Sequence, residues 1–212
     1  MLTKNIIFKN FDLRSSNLLI SKSLKSLLKE KNEVIESTKS SYKDSYTQKQ
    51  LRSFKKYSEV ILIGMGGSIL GSRSIYSFLK DIIKKKFIFN DSFEDFKIDK
   101  KNKKKRINIV ISKSGNTLET ISNSNVLIDK SVKNIFLTEN KKSYLTNLAQ
   151  KLKSEIIHHN NFIGGRYSVL SEVGMLPAQL MGLKPKKFRK FNSLIKNKKF
   201  VSSLIQNVSN TL

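Results

Sequence analysis

The chain is 212 residues long, enough for one ordinary domain with extra helices or for part of a larger protein. It contains no cysteine, which excludes disulfides, thiolate metal sites and cysteine nucleophiles. Lys+Arg 41 against Asp+Glu 16 give a net charge of +25, but the lysines are scattered and not interleaved with aromatics, so they read as a solvated basic surface and not as a nucleic-acid interface.

No apolar stretch approaches the ~20 residues needed to span a bilayer. Met1 to Phe11 alternates polar and apolar residues and lacks a signal-peptide core, so a cytoplasmic protein is expected. Residues 1–15 read as an extended arm ending at Ser15-Ser16, a favourable N-cap pair. Ile20, Leu24, Leu27 and Leu28 recur at helical spacing and predict a helix to about Lys31. Residues 35–45 read as a loop, and Tyr46, Gln50 and Phe54 as a second short helix.

Glu59-Val60-Ile61-Leu62-Ile63 is the first strong strand. It runs into Gly64-Met65-Gly66-Gly67-Ser68-Ile69-Leu70-Gly71-Ser72, and a helix with Ile75, Leu79, Ile82 and Ile83 on one face follows. Gly66-Gly67 can bring backbone N–H groups against an anion, and Ser68 adds a hydroxyl. The dinucleotide fingerprint does not fit, because Gly64 and Gly66 are followed by Ile69 where a third glycine is required. Phe87 to Phe89 is a short strand, and Asp91 to Arg106 a lysine-rich loop.

Ile107 to Ile111 is an apolar, β-branched strand that hands over to Ser112-Lys113-Ser114-Gly115-Asn116-Thr117-Leu118-Glu119-Thr120. A strand-to-helix turn presents free backbone N–H groups and the positive end of a helix dipole. Hydroxyls from Ser112, Ser114 and Thr117 and close approach at Gly115 suit such a turn to holding a phosphate; the alternative is a hydrophilic loop with an N-cap. Further strands are predicted at Asn134–Leu137 and Glu155–His158, with a helix over Tyr144, Leu145, Leu148 and Leu152 between them. Gly164-Gly165-Arg166-Tyr167-Ser168 comes next, then a helix over Val169 to Leu183 with Ser168 as its expected N-cap. Arg166 is either a surface charge or a ligand for an anionic oxygen. His158 and His159 point to opposite sides of a strand and read as structural.

Strands that alternate with helices predict a doubly wound α/β domain, a five-stranded parallel sheet flanked by helices. In such folds ligands bind beyond the carboxyl ends of the strands, where both polar turns lie.

Taken together, Gly66 to Gly71, Ser112 to Thr120 and Gly164-Gly165-Arg166-Tyr167-Ser168-Val169-Leu170-Ser171 closely resemble the motifs of glucose-6-phosphate isomerases, in that family's order, over roughly residues 59–183. The first two alone resemble sugar isomerase (SIS) domains in general; the third, continuing into Gly174-Met175-Leu176-Pro177, is more specific. Asn116 stands where the family usually has Thr. The resemblance implies an SIS-type fold and an aldose–ketose isomerase without cofactor or metal, interconverting glucose 6-phosphate and fructose 6-phosphate through an enediolate. It implies that Gly67 and Ser68 line the sugar-phosphate site, that Ser112, Lys113, Ser114, Gly115, Asn116 and Thr117 hold the phosphate, and that Arg166 stabilises the enediolate charge. The family's general base, a Glu in a downstream Glu-Ser-Asn-Gly-type motif, is absent, as are its His and C-terminal Lys. The expectation is the N-terminal part of a longer, homodimeric isomerase: an arm and helices over 1–58, an SIS-like domain over 59–183 and the start of a helical segment over 184–212. The rival readings are a non-catalytic sugar-phosphate sensor and an isomerase of another sugar phosphate.

Overall fold

A computed structural model of the chain describes residues 17–93 and 100–212. The expected arm and its Ser15-Ser16 cap lie outside the described residues. In chain order the elements are α1 (Leu18–Lys29), α2 (Glu33–Ser37), α3 (Gln48–Lys55), β1 (Glu59–Gly64), α4 (Leu70–Phe78), β2 (Lys86–Asn90), β3 (Arg106–Ile111), α5 (Leu118–Leu127), β4 (Lys133–Thr138), α6 (Tyr144–Lys151), β5 (Glu155–His158), α7 (Glu172–Leu180), α8 (Pro185–Phe188), α9 (Phe191–Leu194) and α10 (Lys198–Thr211). Short 3-10 turns include Gly66–Ser68, Lys80–Ile82 and Gly165–Leu170. The chain divides into two compact units, Lys43–Pro185 and the segments flanking it.

In the larger unit the five strands form one all-parallel sheet in the order β2-β1-β3-β4-β5. β1 and β3 are buried along their whole length, as expected of central strands covered on both faces. Side chains alternate between two cores. Val60 and Leu62 of β1 join Ile107, Ile109, Ile135 and Leu137 under α3, α4 and α7. Ile61 and Ile63 join Val110 and Phe136 under α5 and α6. Fully burying each of these side chains contributes about 1.5–3 kcal/mol.

Register is reinforced at the amino ends of the strands by polar pairs. Glu59 lies opposite both Lys86 and Arg106. Its carboxylate is 3.4 Å from the Lys86 ammonium and 3.3 Å from the Arg106 guanidinium. Asn108 donates to Asn134 across β3 and β4 at 2.9 Å. A one-residue slip would break these pairs, strand the buried Glu59 and Arg106, and turn apolar side chains to the wrong face.

Two local expectations are corrected. α4 ends at Phe78, and Ile82 is 65% exposed in the turn that returns to β2, although Ile83 still packs on the core. The apolar spacing continues past the helix, but Leu79 closes it as the C-cap and Lys80–Ile82 tightens into a 3-10 turn. The segment expected as loop begins with helix α2, because Asn32 accepts the Val34 amide and Glu33 and Glu36 lie in its first turn.

In the other unit, α1 packs with α10, and Asn17, the N-cap of α1, also reaches Ser209 Oγ at 3.5 Å. The buried Arg189 donates to the Tyr42 carbonyl at 3.4 Å and lies 4.9 Å from the centre of its ring. No described helix is long and apolar enough to cross a membrane.

Candidate active site

The chain runs from β1 out to β2 at the edge and then crosses back to β3 on the other side of β1. The switch point of the sheet is therefore the gap between the carboxyl ends of β1 and β3, where doubly wound folds take their ligands. Gly64 and Ile111 are the last paired residues there. The Gly66–Ser68 turn leaves one strand and the 112–117 loop leaves the other, so two of the three motifs are neighbours.

The 112–117 loop is held by its own hydroxyls. Ser112 N–H donates to the Leu137 carbonyl at 3.1 Å, which carries the β3–β4 pairing one residue further. Gly115 has φ +67 and donates to the Ser112 carbonyl at 3.2 Å. A Cβ at Gly115 would stand 2.1 Å from Ser143 Oγ, so both backbone angle and space require glycine. Ser112 Oγ and Thr117 Oγ1 are 2.8 Å apart, and Ser114 Oγ is 3.4 Å from the latter. Thr117 occupies the N-cap of α5 without capping it by its side chain. The first amides of α5 therefore lack a side-chain partner, as do those of α4, whose N-cap is Ile69.

The other loop residues have tertiary duties. Asn116 Oδ1 accepts the Tyr144 amide at the start of α6, at 2.8 Å. Lys113 donates its ammonium to the Asn161 carbonyl at 2.8 Å and lies 3.4 Å from the Glu139 carboxylate. The loop thus offers an anion hydroxyl and backbone donors, and its lysine also ties it to the loop that carries Arg166.

That loop is built by glycines that allow close approach. A Cβ on Gly67 would stand 2.1 Å from the Gly165 carbonyl oxygen, one on Gly71 2.6 Å from Val169 Cγ2, and one on Gly174 2.0 Å from the Val169 carbonyl oxygen. The Gly165–Leu170 turn is therefore wedged between the Gly66–Ser68 turn and α7. Ser168 does not cap the following helix as expected. Its buried hydroxyl donates to the Gly165 carbonyl at 2.7 Å and the Gly67 carbonyl at 3.2 Å, and Ser171 caps α7 instead. The tight glycine contacts favour a 3-10 turn where the apolar spacing suggested helix. Arg166 is exposed and makes no hydrogen bond or ion pair among the described residues.

The charged groups behind the loops carry no local mark in the sequence. Burial alone would raise the Glu139 carboxyl, but hydrogen bonds from Lys141 and Lys113 outweigh it and hold the group below its ordinary value. Burial pushes the His159 imidazole below its ordinary value, helped by Lys113 and opposed by the Asn160 carbonyl, Glu172 and Glu139. Ser143, which fills the space beside Gly115, caps α6 and forms a capping box with Thr146. Among the described residues no cluster of potential ligands could hold a metal ion.

The fold and its switch-point turns define the class first: an SIS-type α/β domain. The architecture is shared with a hypothetical protein from Thermus thermophilus (21% identity, TM-score 0.69, covering 89% of this chain and 51% of that one). It is also shared with tagatose-6-phosphate ketose/aldose isomerase from Escherichia coli (14% identity, TM-score 0.55, covering 81% and 52%). Within that class the phosphoglucose isomerase family matches residues 13–209, and the chain belongs to that family. Similar proteins include glucose-6-phosphate isomerase of Methanocaldococcus jannaschii, 34% identical over an alignment of 143 residues that covers 62% of this chain and 35% of that protein. The enzyme of the same name from Mycoplasmopsis synoviae is 33% identical over an alignment of 173 residues that covers 73% of this chain and 40% of that protein. The chain thus spans well under half the length of these relatives.

Proposed function

We propose that this chain supplies the phosphate-binding half of an aldose–ketose isomerase acting on glucose 6-phosphate and fructose 6-phosphate. The observation that carries the reading is the convergence of the Gly66–Ser68 turn, the 112–117 loop and the Arg166 turn at the switch point of the sheet, with two uncapped helix starts among them. Gly67 and Ser68 line the sugar phosphate. Ser112, Ser114, Gly115, Asn116 and Thr117 hold its phosphate through hydroxyls and amides, and Lys113 steadies the loop from behind. Moving a proton between adjacent carbons builds charge on an oxygen, and Arg166 supplies the fixed cation for it. Loss of such a group costs on the order of 10²–10³ in rate.

A base must also take the carbon-bound proton. Of the acids near the motifs, Glu172 is 1% exposed and bonded to the backbone at Asn160, which keeps it from a substrate. Glu119 lies in the first turn of α5. The reading assigns the base to the part of the relatives that this chain does not span, and a homodimer to the longer enzyme.

The test is titration of the purified chain with fructose 6-phosphate, alongside an assay of its turnover. Binding that inorganic phosphate displaces, without turnover, is expected. A folded chain that binds neither phosphate rejects the reading, and turnover by the chain alone rejects the external base. In a longer family enzyme carrying this sequence, Arg166→Ala is expected to lower kcat far more than it weakens binding; equal losses refute the enediolate role.

A further inference from the structure

Glu172 is a nearly inaccessible carboxylate, a rare state for an acid without a fixed partner. As the first residue of α7 it is favoured by the helix dipole. Its Oε1 accepts the Asn160 backbone N–H at 2.6 Å, across twelve residues of chain. The Asn160 carbonyl in turn accepts from His159 Nδ1 at 2.9 Å and from the Ile163 amide at 3.2 Å. One residue on, the Asn161 carbonyl accepts the Lys113 ammonium at 2.8 Å. The start of the Arg166 loop is thus tied to α7 on one side and to the 112–117 loop on the other.

We propose that Glu172 is a positioning residue for Arg166: its carboxylate clamps the base of the 160–171 loop and so sets where the guanidinium stands relative to the 112–117 loop. This rests on the reading of Arg166 as the group that stabilises anionic oxygen. Within the loop, Tyr167 N–H to Gly164 and Ser171 N–H to Ser168 are local bonds that shape individual turns. They do not fix the loop as a body. Ser168 anchors its far side on Gly67, and Glu172 anchors its base. A buried side-chain oxygen on this backbone amide suits the work, because removing the acceptor leaves an amide of the loop base unpaired.

The experiment uses the full chain with Glu172→Ala and Glu172→Gln. Amide exchange is followed by mass spectrometry over 160–171. Binding is titrated with 6-phosphogluconate, which carries a carboxylate where the enediolate charge would form, and with sorbitol 6-phosphate, which carries none. Glu172→Ala is expected to speed exchange over 163–168 by about tenfold or more relative to β1 and β3. It is also expected to weaken 6-phosphogluconate by about tenfold while sorbitol 6-phosphate stays within about twofold. Glu172→Gln keeps an acceptor oxygen and is expected to restore most of both. Unchanged exchange in Glu172→Ala overturns the clamp, whatever the ligands do. Selective loss of 6-phosphogluconate in Arg166→Ala but not in Glu172→Ala overturns the positioning role alone. Retained preference in Arg166→Ala, or a parent chain that prefers neither ligand, overturns the reading of Arg166 and with it the assignment of the clamp to that residue. If the alanine variant fails to fold, Glu172→Asp replaces it: its shorter side chain falls short of Asn160, and exchange equal to that of Glu172→Gln overturns the clamp.

Discussion

Helices α1, α3, α6, α7 and α10 each begin with a side chain that accepts one of their first amides, from Asn17, Thr47, Ser143, Ser171 and Asn197. α4 and α5, which follow β1 and β3, do not. A cap contributes about 1 kcal/mol, so its absence at both helices flanking the switch point is a cost taken where donors are useful. In α5 the cause is visible. A capping residue type is present in Thr117, but its hydroxyl turns to Ser112 and Ser114. The capped helices have a first amide satisfied by a side chain, whereas the caps of α4 and α5 leave theirs without one.

The sharpest way to break this contrast is Gly67→Ala. The new Cβ meets backbone at Gly165, which has no flexible end to move aside. A loss of about 2–3 kcal/mol is expected in thermal or denaturant unfolding, together with loss of fructose 6-phosphate binding in titration. An alanine variant that binds and melts like the parent would show that the two turns are not held in contact. Ser143→Ala removes a cap away from the open amides. It is expected to cost about 1 kcal/mol in unfolding while phosphate affinity measured by calorimetry is unchanged. Thr117→Asp should do the reverse: an anionic cap stabilises α5 by about 0.5–1 kcal/mol and abolishes phosphate binding, because the carboxylate occupies the amides. Stabilisation with binding intact would remove the α5 amides from the site.

The smallest effect is a pH dependence. Burial lowers the His159 pKa in the folded chain from its ordinary 6.5. The unfolded chain therefore takes up the proton first as pH falls. The stabilisation is complete above the unfolded value and is lost as pH drops from there through the folded value. Melting temperatures at about pH 7.5 and about pH 5.5 should fall further for the parent than for His159→Gln. Equal falls would assign acid sensitivity to other groups.

All five strands were legible, because buried parallel strands are short apolar runs rich in β-branched residues. Three amino ends were not: Arg106 reads as loop and Lys86 and Lys133 fall just outside the expected strands, yet each opens a strand, the first two through the ion pairs with Glu59. The three motifs stood out through their glycines and hydroxyls. Their internal wiring did not, since it depends on residues distant in sequence. That Lys113 also reaches Glu139 and Asn161 is visible only in the fold. Ser168 is the cap that spacing suggests, and only the contact between Val169 and Gly174 shows that the helix starts later, with Ser171 as its cap. Glu172 reads as an ordinary acid in a helix, because burial leaves no local mark on a charged residue.

The place of β1 between β2 and β3 bears on how the protein acquires its site. A hairpin would bring two turns together early, but here the chain must lay β2 at the edge and cross back before β3 can pair with β1. Such long-range parallel pairing is slow to form and is cooperative with the rest of the sheet. No fragment with only local contacts holds both turns side by side. Binding competence and folding of the sheet are then one event, and a ligand of those turns would stabilise the whole sheet unit by mass action, about 2.7 kcal/mol at a concentration about a hundred times its Kd.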